Sequence, residues 1–210
     1  MEIELKYLAS KEEAMKILPE EYRIIPMNAV YFDTAAHSLR DRKITVRCRR
    51  EGEKHVATAK WGGGSSSGMH RRGEYNIEVE DGWTEKPDMT VFWDCEIYDN
   101  MVSALGGEYS DSLGNLVPRE KVKPVLTMKF IRCEADILLG DGGEAVLSYD
   151  EGRIITKNGS EIISEIEVEL KNGSEDELRK YGEELEKKYG LVPCDSSKYS
   201  RGLALLRKMH

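Results

Sequence analysis

At 210 residues the chain has room for one domain with a sizeable core, and no Pro- or Ser-rich linker or break in composition divides it, so a single domain over 1–210 is expected. A formal net charge of -8 excludes a general nucleic-acid binder, because such proteins present a basic field to the phosphate backbone; a polyanion would have to be bound locally, against the overall sign. The N-terminus shows no apolar signal core and no run approaches about 18 apolar residues, which argues against secretion and membrane spanning and for the cytoplasm. Cys48, Cys95, Cys133 and Cys194 lack C-x-x-C spacing, so they signal neither a zinc site nor a disulfide framework and fit a reducing compartment.

The chain opens on a strand, Glu2-Ile-Glu-Leu-Lys6, in which Glu2, Glu4 and Lys6 share one face while Ile3, Leu5 and Tyr7 share the other. Ser10 with Glu13 three residues later reads as a capping box that opens a helix through Leu18, ended by Pro19. Strands follow near 28–35, 43–51 and 54–61, and Gly62 to Gly68 reads as a flexible connector, since it precedes a strand and lacks a Walker lysine. From Arg72 to Glu80 charged and polar residues again take alternate positions. Trp93, Ile97, Met101 and Leu105 recur every four residues and predict one helix within Met89–Leu105. After a polar stretch to Pro124, strands are expected near 125–137, 143–150, 153–157 and 162–171. Ser174 with Glu177 forms a second capping box for a helix to Tyr189, stopped at Gly190, and a last helix covers Tyr199–Lys208.

Charge at alternate positions recurs in Arg47-Cys48-Arg49 and in Glu165-Ile166-Glu167-Val168-Glu169. Three carboxylates on one strand face would repel each other on a free surface, so something must reward the crowding. A polyacidic row facing a polybasic row makes a site for a divalent cation and a polyanion together: carboxylate oxygens suit Mg²⁺ or Mn²⁺, and Arg and Lys grip phosphate oxygens. Phosphoryl transfer needs little more, since its catalysis is mostly positioning and charge stabilisation. Eight or nine mostly antiparallel strands with three or four helices outside would close into a barrel, an α+β architecture whose charged interior is a wet ligand tunnel.

Glu2-Ile-Glu-Leu-Lys6 resembles the E-x-E-x-K signature of the CYTH domains, or triphosphate tunnel metalloenzymes. Further matches run in order: Tyr31-Phe-Asp-Thr34 with Leu39, Arg47-x-Arg49, Lys60, His70-x-Arg72-x-Glu74-Tyr-Asn76, Arg132, Asp150, Glu165-x-Glu167-x-Glu169, and Lys198 with Arg201-Gly202. The segment from His70 to Asn76 looks most like the bacterial inorganic triphosphatase branch, although the helical histidine-rich domain often fused to that branch has no counterpart here.

The resemblance implies an eight-stranded antiparallel tunnel that hydrolyses inorganic triphosphate or a related triphosphate with Mg²⁺ or Mn²⁺. It places Glu2, Glu4, Asp150, Glu165, Glu167 and Glu169 as metal ligands and Lys6, Arg47, Arg49, Lys60, Arg72, Arg132, Lys198 and Arg201 as phosphate ligands. Glu4, Lys6 and Glu167 would carry the chemistry, with one metal bridging glutamates and substrate and a second metal or a glutamate activating water. The roles of His70 and Lys129 stay open. Adenylate cyclase and thiamine triphosphatase are the rival enzyme readings, and a catalytically idle polyphosphate or nucleotide sensor is the rival from another class. A small-molecule triphosphate partner is expected, without nucleic acid or membrane, and a homodimer is compatible with so small a domain.

Overall fold

The computed structural model describes residues 1–109, 116–140 and 142–207. In chain order the strands are β1 (Glu2–Leu8), β2 (Arg23–Asp33), β3 (Ile44–Glu51), β4 (Lys54–Ser66), β5 (Met69–Val79), β6 (Glu108–Tyr109), β7 (Leu116–Val117), β8 (Lys123–Leu138), β9 (Glu144–Thr156), β10 (Gly159–Asn172) and β11 (Val192–Pro193). The helices are α1 (Lys11–Ile17), α2 (Ser38–Asp41), α3 (Tyr98–Ala104), α4 (Glu175–Tyr189) and α5 (Lys198–Arg207), with a 3₁₀ turn at Met89–Phe92. The long strands pair in the order β10-β9-β8-β2-β3-β4-β5-β1, and β1 pairs back to β10, which makes the closed eight-stranded antiparallel β-barrel with helices outside that was expected. Closure leaves none of the eight with a free edge; β11 adds to β1, and β6 pairs with β7 separately. Among the described residues no helix is long and apolar enough to cross a membrane.

The residues group into two compact units, one of 1–27, 63–72 and 128–210, the other of 28–62 and 73–127. In the first, the apolar parity of β1 (Leu5, Tyr7), β9 (Leu147, Tyr149) and β10 (Ile166, Val168) is buried with Leu178 and Leu185 of α4. Gly182 of α4 allows this approach, since a Cβ there would stand 2.4 Å from Tyr7 Oη and 2.6 Å from Leu5 Cδ1. The helix is cut as its sequence dictates: Ser174 Oγ accepts from the backbone of Asp176 and Glu177, and Gly190 ends it at φ 68°. Because successive strand residues alternate, the other parity (Glu4, Lys6, Ser148, Asp150, Glu165, Glu167) is forced to the opposite face, and these residues are buried too.

The second unit packs Phe32, Leu39, Val46, Cys48, Ala57, Ala59, Trp83, Phe92 and Met101 into its own core. Here the single helix expected from Met89 to Leu105 is corrected. In its first half Met89, Phe92 and Cys95 are buried, at a spacing of three, while Trp93 is 70% exposed. Bonds from Trp93 N to Thr90 O, Cys95 N to Phe92 O and Tyr98 N to Cys95 O follow the same i→i+3 period, so tight turns occupy the first half and α3 only the second.

Strand boundaries also move: β2 starts at Arg23, ahead of the expected 28, and two glycine-containing segments differ. β4 runs through the glycines to Ser66, and the connector shrinks to Ser67-Gly68, both at positive φ (52° and 77°), a two-residue hairpin turn of the type that matches strand twist. β9 continues through Gly152, where a break was expected, because the missing Cβ lets Phe130 of β8 lie against it; an added Cβ would stand 2.2 Å from Lys129 O and 2.4 Å from Phe130 Cα. The polar stretch before Pro124 includes residues 110–115, and the last helix was expected to reach Lys208; these fall outside the described residues.

Candidate active site

The buried charges of the first unit form one continuous ion-pair network. It starts from register: Lys6 on β1 lies opposite Glu167 on β10, Glu2 lies opposite Arg72 on β5, and Glu165 on β10 lies opposite Asp150 on β9. Lys6 Nζ reaches Glu167 Oε1 at 2.7 Å, Glu165 Oε1 at 3.2 Å and Glu4 Oε1 at 3.8 Å. Arg72 contacts Glu4 at 2.8 Å and Glu2 at 3.2 Å. Arg132 donates in fork fashion to both oxygens of Asp150 at 2.7 Å and also to Glu167 Oε2 at 2.7 Å.

Two further cations enter from α5. Lys198 Nζ stands 2.8 Å from Asp150, 2.5 Å from Glu165 and 2.9 Å from Glu167. One turn on, Arg201 bonds Glu165 and Glu161, each at 2.6 Å. The Phe130 ring lies beneath this group, its centroid 5.6 Å from Lys198 Nζ and 5.9 Å from Arg132 Cζ.

The electrostatics follow from burial and charge in opposition. Burial alone would push the Lys6 and Lys198 ammoniums down, but the surrounding carboxylates outweigh it and hold both above the ordinary lysine value. Burial would likewise raise Glu167 and Asp150, yet Lys198, Lys6 and Arg132 hold Glu167 well below the usual carboxylate range, and Arg132 and Lys198 lower Asp150. All four are therefore charged at neutral pH.

The structure thus brings together Glu2, Glu4, Lys6, Arg72, Arg132, Asp150, Glu165, Glu167, Lys198 and Arg201. Glu169, expected beside them, pairs instead with Lys171 at 2.6 Å along its own strand. The remaining predicted residues belong to the second unit, where Lys60 Nζ and Arg47 Nη2 approach Glu74 at 3.4 Å and 3.8 Å, and Arg49 pairs with Glu51. Asn76 links Glu74 to Thr58, which donates to Asn76 Oδ1 at 2.7 Å. Glu74 was legible as an inward residue by parity, but its part in orienting Arg47 and Lys60 was not, since nothing local says which cations cross to it.

Could the network hold a metal? Among the described residues no group of three or more His, Cys, Asp or Glu is arranged as a cage. The donor set nevertheless fits a hard divalent cation: Lys6 and Lys198 each stand where three carboxylates converge on one positive charge, and every donor is a carboxylate oxygen. His70, buried on β5, is held below the ordinary histidine value chiefly by burial, and its Nε2 meets the Cys194 carbonyl rather than a carboxylate.

A family model described as the CYTH domain matches residues 1–203. An inorganic triphosphatase of Haemophilus influenzae is 27% identical over 212 residues, covering 97% of this chain; the chain spans about half, 54%, of that curated relative. In structure the chain is similar to a Hippeastrum protein described as a candidate adenylyl cyclase with a dominant triphosphatase activity, with a TM-score of 0.66 at 20% identity over 97% of this chain and 96% of that one. It is similar also to a candidate adenylate cyclase of Bacillus halodurans, with a TM-score of 0.58 at 20% identity over 96% of each chain. At such identities these two likenesses speak for the fold. The closed antiparallel barrel, the buried E-x-E-x-K strand and a family match over nearly the whole length agree: this chain belongs to the CYTH domain family.

Proposed function

We propose that the chain is a metal-dependent hydrolase of inorganic triphosphate or a closely related triphosphate. One observation carries the reading: Glu2, Glu4, Asp150, Glu165 and Glu167 are interleaved with Lys6, Arg72, Arg132, Lys198 and Arg201 in a single network. The carboxylates offer hard oxygen donors to a divalent cation and the basic residues offer N–H donors to a polyphosphate, so when both enter, each set of residues exchanges its present partners for a ligand of the same sign as those partners. Either one alone would leave half the network uncompensated. The triphosphatase activity named for the Haemophilus influenzae relative supports the same substrate class.

Glu2, Glu4, Asp150, Glu165 and Glu167 are the side chains that would hold Mg²⁺ or Mn²⁺, and Glu169 is assigned with them by likeness to the family alone; when bound, the ion polarises phosphate oxygens and acidifies water. Lys6, Arg72, Arg132, Lys198 and Arg201 turn from carboxylate to phosphate oxygens and take up the charge that develops on the leaving pyrophosphate. Arg47, Arg49 and Lys60 are assigned as phosphate ligands by likeness to the family alone. Glu4 and Glu167 orient the attacking water, and water as nucleophile leaves no covalent role for the cysteines.

The test is phosphate release from inorganic triphosphate, ATP and thiamine triphosphate with Mg²⁺, Mn²⁺ or EDTA, with cyclic AMP followed in the ATP reactions. Release from inorganic triphosphate that EDTA abolishes supports the reading. Release indifferent to EDTA removes the metal from it, cyclic AMP as the main product replaces it with a cyclase, and binding without turnover leaves a sensor.

A further inference from the structure

The charged network leaves His70 unused, although it is 5% exposed and sits on β5 opposite Glu4 of β1. Its Nε2 lies 2.9 Å from the Cys194 carbonyl oxygen, which can only accept, so Nε2 carries the proton. Other bonds hold the same short segment. Cys194 N donates to Lys6 O at 2.9 Å, Gly68 N donates to Asp195 Oδ1 at 2.8 Å, and Ser65 Oγ donates to Asp195 O at 2.9 Å. The chain after β11 is thereby tied to β1 and to the β4–β5 hairpin.

Three residues beyond Asp195 begins α5, whose first residue is Lys198. A helix moves as a rigid body, so the place where α5 starts decides where both Lys198 and Arg201 arrive. The Cys194 carbonyl, just past β11, is met from β5 by the His70 side chain.

We propose that His70 is a positioning residue: by donating to the Cys194 carbonyl it fixes the start of α5 and so seats Lys198 and Arg201 against Asp150, Glu165 and Glu167. A residue that merely filled space would need the volume of the ring and not its N–H. The kinetic part of the inference rests on the triphosphatase reading; the seating of α5 does not.

The experiment uses the full chain as wild type, His70→Ala and His70→Gln, whose side-chain amide offers an N–H at similar reach. Acetylation of Lys198 and Lys6 and alkylation of Cys194 are timed by peptide mass spectrometry, beside kcat, KM and melting temperature with inorganic triphosphate and Mg²⁺. His70→Ala should speed modification of Lys198 and Cys194 by at least about tenfold while Lys6 stays protected, and His70→Gln should restore most of the protection. Turnover should fall about tenfold or more in His70→Ala and recover in His70→Gln, as displacement of a positioned cation predicts. Unchanged protection at Lys198 and Cys194 in His70→Ala overturns the proposal, as does equal loss of protection at Lys6, which marks general loosening, or a kinetic loss that His70→Gln leaves unrepaired. If the wild type itself releases no phosphate, the triphosphatase reading fails, and the modification rates alone decide the role of His70.

Discussion

Lys6 Nζ lies 2.7 Å from Glu167 Oε1, and the two residues are direct register partners across β1 and β10. Glu167 also accepts from Lys198 and Arg132, so three cations depend on one carboxylate. Glu167→Gln should lower triphosphate turnover by about two orders of magnitude, in line with the loss of one placed electrostatic group. It should also cost about 3–5 kcal/mol of stability, because buried cations lose their partner. Glu169→Gln, whose partner Lys171 is half exposed, should cost under about 1 kcal/mol. Kinetics and chemical denaturation of both variants check this; equal stability losses would mean that the network does not distinguish the two positions.

The same ion pairs set a pH window. Glu167 and Asp150 are depressed below their ordinary 4.5 and 3.8, so what they contribute to stability is complete above those values and is lost as pH falls through the lower folded ones. Lys6 and Lys198 are raised above their ordinary 10.5, so their contribution is complete below it and is lost as pH rises through the higher folded ones. Thermal unfolding across pH should show a plateau between these limits and a fall on both sides, with the acid fall flattened in Glu167→Gln.

Gly182 offers a test of the outer packing apart from the chemistry. Gly182→Val places side-chain atoms where Tyr7 Oη and Leu5 Cδ1 already stand, and should cost about 1–3 kcal/mol through overpacking. The residue faces the apolar parity of β1, so kcat measured well below the melting temperature should stay close to wild type.

Arg49 in the second unit pairs with Glu51 at a partly exposed position. Arg49→Ala should raise KM for triphosphate about tenfold or more if it binds phosphate, with stability altered by less than about 1 kcal/mol. A collapse of the melting temperature with unchanged KM would make the residue structural.

Phe92 is fully buried and Trp93 mostly exposed, the reverse of what a single helix would require. Phe92→Ala should cost about 3–5 kcal/mol and Trp93→Ala within about 0.5 kcal/mol, read by urea denaturation. Comparable losses would restore the continuous helix.

That contrast shows where local pattern was enough. Alternation of charge with apolar residues in Glu2–Lys6 and Glu165–Glu169, and the capping serines Ser10 and Ser174, are written within a few residues, because strand parity and helix capping are local physics. The glycines misled for the same reason. Gly63 looks like part of a loop and Gly152 like a break until Arg71 and Arg72 of β5 and Phe130 of β8 come close enough to require a missing Cβ.

The sequence by itself determined which residues share a face, that the charged faces call for a cation and a polyanion, and that the strands close antiparallel. Only the tertiary structure decided the partners: that Lys6 meets Glu167, that Lys198 and Arg201 arrive from α5 to join Asp150 and Glu165, that Glu169 turns to Lys171, and that His70 holds Cys194. Those pairings join residues far apart in the chain, and their geometry is set by strand register and helix docking, which no local spacing encodes.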